Sequence, residues 1–245
     1  MQHDKLKTGL NKLGYEVTEE QLELFDRYYE MLIEKNKVMN LTAITEYDDV
    51  VLKHFIDSAS IITVAKDNAE LAKVLSSGKI LDLGTGAGFP GIPLKILYPD
   101  ADITLMDSLN KRLKFLDEVI AELGLERIRT LHARAEEVAR KPEYREQFDL
   151  VVSRAVARMS VLAEFCMGFV KVGGLFTPYK AGESDDEIKT GTKAIKTFGG
   201  ELVGICHFEL PDSDIARTIP VIKKNNATPG KYPRVGKKAE KEPIE

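Results

Sequence analysis

At 245 residues, with 43% hydrophobic and 30% charged content, the chain is long enough for one substantial α/β domain with an appendage and has the composition of an ordinary soluble globular protein. A formal net charge of −4 argues against a protein that coats nucleic acid indiscriminately, while leaving room for a local basic surface. No apolar run approaches the ~18 residues of a membrane helix, Met1–Leu10 lacks the apolar core of a secretory signal, and Cys166 and Cys206 match no metal spacing and read as buried free thiols, which together predict a cytosolic protein without a structural metal.

Thr18-Glu-Glu-Gln21 has the form of a capping box, and Leu22, Phe25, Tyr29 and Leu32 then recur at helical spacing along one buried face. Asn36–Ile44 is a turn-rich joint. It leads into a second helical stretch over about Asp48–Ala65, with Val51, Phe55, Ser58 and Ile62 on one side. The charged run Lys66–Gly78 reads as a connector, so residues 1–66 are predicted as an N-terminal helical region and 67–245 as the main domain. From Lys79 onward strands alternate with helices. Ile80–Leu83 and Asp102–Met106 are strand-like. Asn110–Leu123 is amphipathic, turning Leu113, Leu116, Ile120 and Leu123 inward, and Gly124 ends it. Arg129–His132 is a short strand, Phe148–Ser153 an apolar run suited to a buried parallel strand, and Met159–Val170 a helix. Gly173–Lys180 is a turn feeding a strand, and Ser184-Asp-Asp-Glu187 caps a helix to Phe198. Glu201–Leu210 and Ile215–Lys224 follow with no helix between them and predict an antiparallel hairpin. The class is α/β: a doubly wound, mostly parallel sheet with helices on both faces and this hairpin at its edge.

The richest segment is Lys79-Ile-Leu-Asp-Leu-Gly-Thr-Gly-Ala-Gly-Phe-Pro-Gly91, a strand running into a glycine cluster. Gly84, Gly86, Gly88 and Gly91 remove side chains where the backbone turns sharply and approaches a ligand. Gly86–Gly91 fits G-x-G-x-x-G, and Asp107 lies about 20 positions on, where an acid can hold a ribose. Both a nicotinamide cofactor and S-adenosylmethionine satisfy that local pattern. Three further features favour a methyltransferase. Asp82 stands inside the strand, where a carboxylate suits a cationic ligand or caps the amides of the turn. Phe148-Asp-Leu-Val-Val-Ser-Arg154 ends the fourth strand, and Val170-Lys-Val-Gly-Gly-Leu-Phe176 carries a Gly-Gly turn into the fifth.

With these residues in view, the chain resembles the bacterial small-subunit ribosomal RNA guanine-N7 methyltransferases, also called the glucose-inhibited division protein B family. The segments that carry the likeness are Asn36–Thr42, His54-Phe-Ile-Asp-Ser58, Asp82–Pro93 with its Gly-Phe-Pro-Gly-Ile-Pro run, Asp107-Ser, Lys111-Arg112, Phe115-Leu116, Arg134-Ala-Glu136, Ser153-Arg-Ala-Val-Ala157, Thr228-Pro and Tyr232-Pro-Arg234. Thr85 stands where serine is common. The resemblance implies a seven-stranded Rossmann-like sheet, S-adenosylmethionine as cofactor, and 16S ribosomal RNA or a small-subunit assembly particle as the partner of a monomeric protein. It places Gly84, Gly86 and Phe89 along the cradle, Asp107 on the ribose hydroxyls with Ser108 and Leu109 beside it, and Ala135 and Glu136 beside the adenine. Arg154 faces the active cleft and completes the cofactor-binding set. His54 and Asp57 read equally as structural groups or RNA contacts.

The implied target is N7 of a guanine in the 530 loop. That nitrogen already offers a lone pair, so no general base is expected and no catalytic residue is assigned beyond alignment. The fourth strand ends in Ser-Arg-Ala-Val-Ala rather than the Asn/Asp-Pro-Pro-aromatic motif that grips exocyclic amines, and neither cysteine follows a proline at a strand end. Arg154 or Lys180 is expected to donate to guanine O6 while N7 stays open. Lys180, Lys231 and Arg234 are the candidate RNA contacts. The last two belong to a strip, Lys223–Lys241, with seven basic residues and one acidic residue; it reads either as a frayed terminus or as a phosphate grip. A small-molecule or protein methyltransferase on the same fold is the alternative.

Overall fold

The computed structural model describes residues 3–154 and 157–245, so Ala155 and Val156 of the Ser153–Ala157 motif lie outside the described residues. Among the described residues eight strands form one sheet: β1 (Lys79–Leu83), β2 (Asp102–Asp107), β3 (Ile128–His132), β4 (Phe148–Ser153), β5 (Val170–Pro178), β6 (Lys180–Ala181), β7 (Gly200–Glu209) and β8 (Ala216–Lys224). The order is β3-β2-β1-β4-β5, all parallel, and β8 then runs antiparallel to β5, β6 and β7. The count exceeds seven because the fifth strand is interrupted at Tyr179, whose backbone N–H donates to the Ser153 carbonyl (2.9 Å). Chain order reverses between β1 and β4, so a crevice opens at the carboxyl ends of the central strands.

Both faces of the sheet are covered, and the pleat sorts the side chains. Ile80 joins a core with Leu6, Phe25, Phe55, Ile103 and Val152, whereas Leu81 and Leu83 join Met159, Leu162, Phe176 and Phe198 on the other face. The N-terminal helices therefore share their core with one face of the sheet.

The helix Glu19–Met39 starts at the predicted capping box, with Thr18 and Gln21 bonded reciprocally (3.1 and 3.2 Å). Its buried face holds Leu22, Phe25, Tyr28 and Leu32; Tyr29, the expected member, is displaced to an edge-on contact with Tyr47 (4.9 Å). The stripe tilts toward Tyr28 because its hydroxyl reaches the glycine loop. The stretch 48–65 is helical but broken: a π-helical turn, Val51–Ile56, lies between short α segments, and Ser60 ends the middle one by bonding back to the Asp57 carbonyl (2.6 Å). Within the expected connector, Ala69–Ser77 is a helix capped by Asn68 on the Leu71 amide (2.9 Å), burying Leu71 and Leu75. Cys166 is buried and Cys206 half-buried; both are free, and burial pushes both thiols above their ordinary range.

Candidate active site

β1 feeds the crevice through Gly84–Pro90 before the helix Gly91–Leu97 begins. The Gly84 and Thr85 amides donate to the Met106 carbonyl (2.8 and 3.0 Å), which ties the loop to the end of β2. The glycines divide into two kinds. A Cβ at Gly84 (φ +75°) would meet nothing within 4 Å, and at Gly86 (φ +61°) only the Gly84 carbonyl at 4.0 Å, so neither glycine makes room for packing. At Gly88 (φ +106°) a Cβ would come within 2.7 Å of the Tyr28 hydroxyl and of Ile92, and at Gly91 within 2.2 Å of Leu105. These two make room for packing. Tyr28 is wholly buried and donates to the Ala87 carbonyl (2.6 Å), so the N-terminal helix holds the loop from behind.

Asp82 is fully buried beneath this loop. Its Oδ2 accepts from Thr85 Oγ1 (2.6 Å) and from the Gly91 amide (2.9 Å), while Oδ1 has no hydrogen-bond partner. Burial pushes its carboxyl up to about 6, against the opposing pull of those two bonds and of Arg154. The turn-capping role falls to Oδ2 alone.

Asp107 ends β2. Its Oδ1 accepts from the Leu109 amide (2.8 Å), and its Oδ2 from the Gly86 amide (3.0 Å) and Arg112 Nη1 (3.3 Å). A carboxylate offers about four lone-pair sites, so acceptor capacity remains after these three donors. Asp107 lines a cavity of about 300 Å³ with Gly84, Ser108, Ala135 and Glu136. Gly86 reaches this site only through its bond to Asp107, and Leu109 likewise through its amide. Phe165 and, from the C-terminal end, Gly236, Lys237 and Glu240 line the same cavity without having been expected there.

Phe89 and Arg154 lie elsewhere. The Phe89 ring stacks on His54 (4.5 Å, 20°), and the Arg154 guanidinium sits over its face at 4.9 Å. Arg154 also donates to Asp57 Oδ2 (3.1 Å) and to the Lys53 carbonyl (3.2 Å) in the π-helical turn. Asp57 in turn accepts from Arg217 Nε (2.7 Å), a pair 160 positions apart in sequence. His54 is held by Thr42 Oγ1 on Nε2 (2.8 Å). Burial, and then the charge of Arg154, push its imidazole down to about 4, so it is neutral at pH 7. Asp57, Arg154, Tyr179, Lys180, Glu187 and Arg217 line a second cavity, also about 300 Å³. Asp57 is thus a buried hub, and Arg217 on β8 carried no sequence signal.

The RNA candidates meet different fates. Lys180 is buried, donating to the Ala157 carbonyl (2.7 Å) and to Glu187, yet it lines the second cavity with Arg154. Lys231 is exposed, its ammonium 5.2 Å from the Tyr232 ring. Arg234 makes a forked pair with Glu164 (Nε 2.9 Å, Nη2 2.7 Å). Within the strip, Lys223 is bonded to Glu70, and Lys224 is wholly buried on the Met167 carbonyl and Thr228. Among the described residues no cluster of His, Cys, Asp and Glu can hold a metal, and no helix is long and apolar enough to cross a membrane.

A classic dinucleotide-binding sheet stays parallel to its edge; here β8 is inserted antiparallel between the fifth strand and β7. Two solved structures share this fold: TrmN from Thermus thermophilus (TM-score 0.51, 18% identity, 71% of this chain and 53% of that one) and a putative sarcosine dimethylglycine methyltransferase from Galdieria sulphuraria (TM-score 0.52, 16% identity, 70% and 89%). With Gly84 and the residual acceptor capacity of Asp107 on one cavity at the carboxyl ends of the strands, the class is that of the S-adenosylmethionine-dependent methyltransferases. The family model for GidB, rRNA small subunit methyltransferase G, matches residues 21–216. The chain is 52% identical over 236 residues to the ribosomal RNA small subunit methyltransferase G of Lachnoclostridium phytofermentans (96% of this chain, 95% of that one), and 47% identical over 242 residues to that of Clostridium tetani (99% and 98%). The chain belongs to this rRNA small subunit methyltransferase G family.

Proposed function

We propose that the protein methylates N7 of a guanine in the 530 loop of 16S ribosomal RNA, free or in an assembling small subunit, acting as a monomer in the cytosol. One observation carries the choice of atom. Both carboxylates lining the second cavity are committed, Asp57 to Arg154 and Arg217, and Glu187 to Lys180. The neighbouring His54 is neutral and bonded, and the buried Tyr179 hydroxyl donates to the Ser58 carbonyl (2.7 Å) while burial raises its pKa well above the ordinary range. Among the described residues the cavity presents donors and no carboxylate without a cation partner, which suits a nucleophile with no proton to lose.

S-adenosylmethionine supplies, when bound, an activated methyl carbon on a sulfonium. Gly84, Gly86, Asp107, Ser108, Leu109, Ala135 and Glu136 would hold it, with Asp82 as the buried counter-charge. Arg154, anchored on Phe89 and Asp57, lines the second cavity with Lys180, and the two would be the donor set for guanine O6. In this reading residues 1–66 support the loop and residues 67–245 form the methyltransferase domain, on a shared core. Incubation with tritiated cofactor and small-subunit RNA from a strain lacking the protein tests this. Label at one guanine N7 in the 530 loop is expected; label on another base, on protein or on a small molecule overturns it.

A further inference from the structure

The chain beyond Asn226 is fastened at every few residues. Thr228 is buried, its hydroxyl 2.9 Å from the Phe198 carbonyl, and Arg145 takes its carbonyl. The Tyr232 ring packs edge-on to Phe198 (4.9 Å, 81°), and Arg140 Nη2 donates to the carbonyls of Lys231 and Pro233 (2.7 Å each). Arg234 then closes on Glu164, whose side chain is 1% exposed, with a third bond from its own backbone amide (2.7 Å). Immediately after this pin come Gly236, Lys237 and Glu240, in the wall of the cavity that contains Asp107. Ala239 between them is wholly buried. The anchors are not scattered. Arg140 follows the helix Ala135–Val138, whose Ala135 and Glu136 line that cavity, and Glu164 precedes Phe165, which lines it too.

We propose that residues 235–241 form the outer wall of the adenosine cavity, with Lys237 and Glu240 as cofactor-binding residues and the Arg234–Glu164 pair as the pin that holds them there. This rests on the methyltransferase reading. An adenosine presents hydroxyl and amino donors together with ring acceptors, and a carboxylate and an ammonium on one wall match both kinds. The wall also removes water from around Asp107, which strengthens its bonds to a ribose. Lys237 is thereby assigned to the cofactor rather than to RNA phosphates, and the strip loses another of its cations.

Two variants of the full protein test this: a chain ending at Val235, which keeps the pin, and the double substitution Lys237→Ala/Glu240→Ala, which keeps the whole tail. Titration calorimetry with S-adenosylhomocysteine is expected to show affinity weakened about tenfold or more by the truncation and about threefold or more by the double substitution. Affinity for a 530-loop RNA, read by fluorescence anisotropy without cofactor, is expected to stay within about twofold for the double substitution. Cofactor affinity within about twofold of the parent in the double variant overturns the proposal, as does a loss confined to RNA. Because the double variant deletes no backbone, it decides the matter even if the truncated chain misfolds. A parent protein that fails to bind S-adenosylhomocysteine would strike the methyltransferase reading itself, an outcome distinct from either.

Discussion

Asp107 and Asp82 are both acids near one loop, yet they serve it differently. Asp107 holds the Gly86 and Leu109 amides while keeping lone pairs for a ligand, so Asp107→Ala removes a ligand acceptor and loosens the loop together. S-adenosylhomocysteine affinity by calorimetry is expected to fall by at least about tenfold, on the order of 1.4 kcal/mol; an unchanged value would remove Asp107 from the site. Asp82 is a matter of proton linkage. Its carboxyl is raised from 3.8 to about 6 in the folded protein, so the native state holds the proton more tightly than the unfolded chain does. The stabilising contribution is complete below about pH 4 and is lost as pH rises through 6. Asp82→Asn keeps an acceptor for Thr85 and Gly91 but cannot ionise. Relative to the parent, its stability is expected to rise between pH 4.5 and pH 7.5 by on the order of 2 kcal/mol. Urea unfolding at the two pH values measures this, and parallel curves would refute the raised pKa.

At the scale of the element, the glycine loop is held by groups on both sides of it. Gly88→Ala places a Cβ against Tyr28 and Ile92 at positive φ, and is expected to cost on the order of 3 kcal/mol of stability. Gly84→Ala meets nothing and is expected to cost on the order of 1 kcal/mol, while its new methyl intrudes on the cofactor and weakens S-adenosylhomocysteine binding. Denaturant midpoints and calorimetry on both variants separate the packing glycine from the cradle glycine; the opposite ranking of stabilities would reverse the two roles. Tyr28 shows what periodicity leaves open. Tyr28 and Tyr29 sit beside one another on the helix, and the Ala87 carbonyl together with the rings of Phe55 and Phe89 selects the first. The π-helical turn was equally invisible, because the i, i+4 apolar pattern of Val51 and Phe55 suits an α-helix as well.

For the whole molecule, the basic residues near the C-terminus divide by geometry rather than by charge. Lys223 bonds the last strand to Glu70 on the helix Ala69–Ser77, and Lys224 and Arg234 fasten the end of the chain to the helix Met159–Met167, so these three cations are engaged within the fold. Arg234→Ala strands the carboxylate of Glu164 in the core. It is expected to lower unfolding stability on the order of 3 kcal/mol, and adding Glu164→Gln should recover part of that by removing the buried charge. Equal stability of parent and Arg234→Ala in urea would show that the pair contributes nothing.

The sequence by itself determined what depends on neighbours along the chain: the capping box at Thr18, the alternation of strands and helices after Lys79, and the glycine cradle with Asp107 beyond it. Those signals arise from backbone sterics and side-chain periods that act over a few residues, so a linear reading reaches them. Only the tertiary structure decided that Asp57 joins Arg154 to Arg217, that Arg234 belongs to Glu164, and that Gly236, Lys237 and Glu240 return to the cavity that contains Asp107. An ion pair or a cavity wall is set by distances through space. Those distances follow from how the sheet and helices pack, and no local pattern in the chain encodes them.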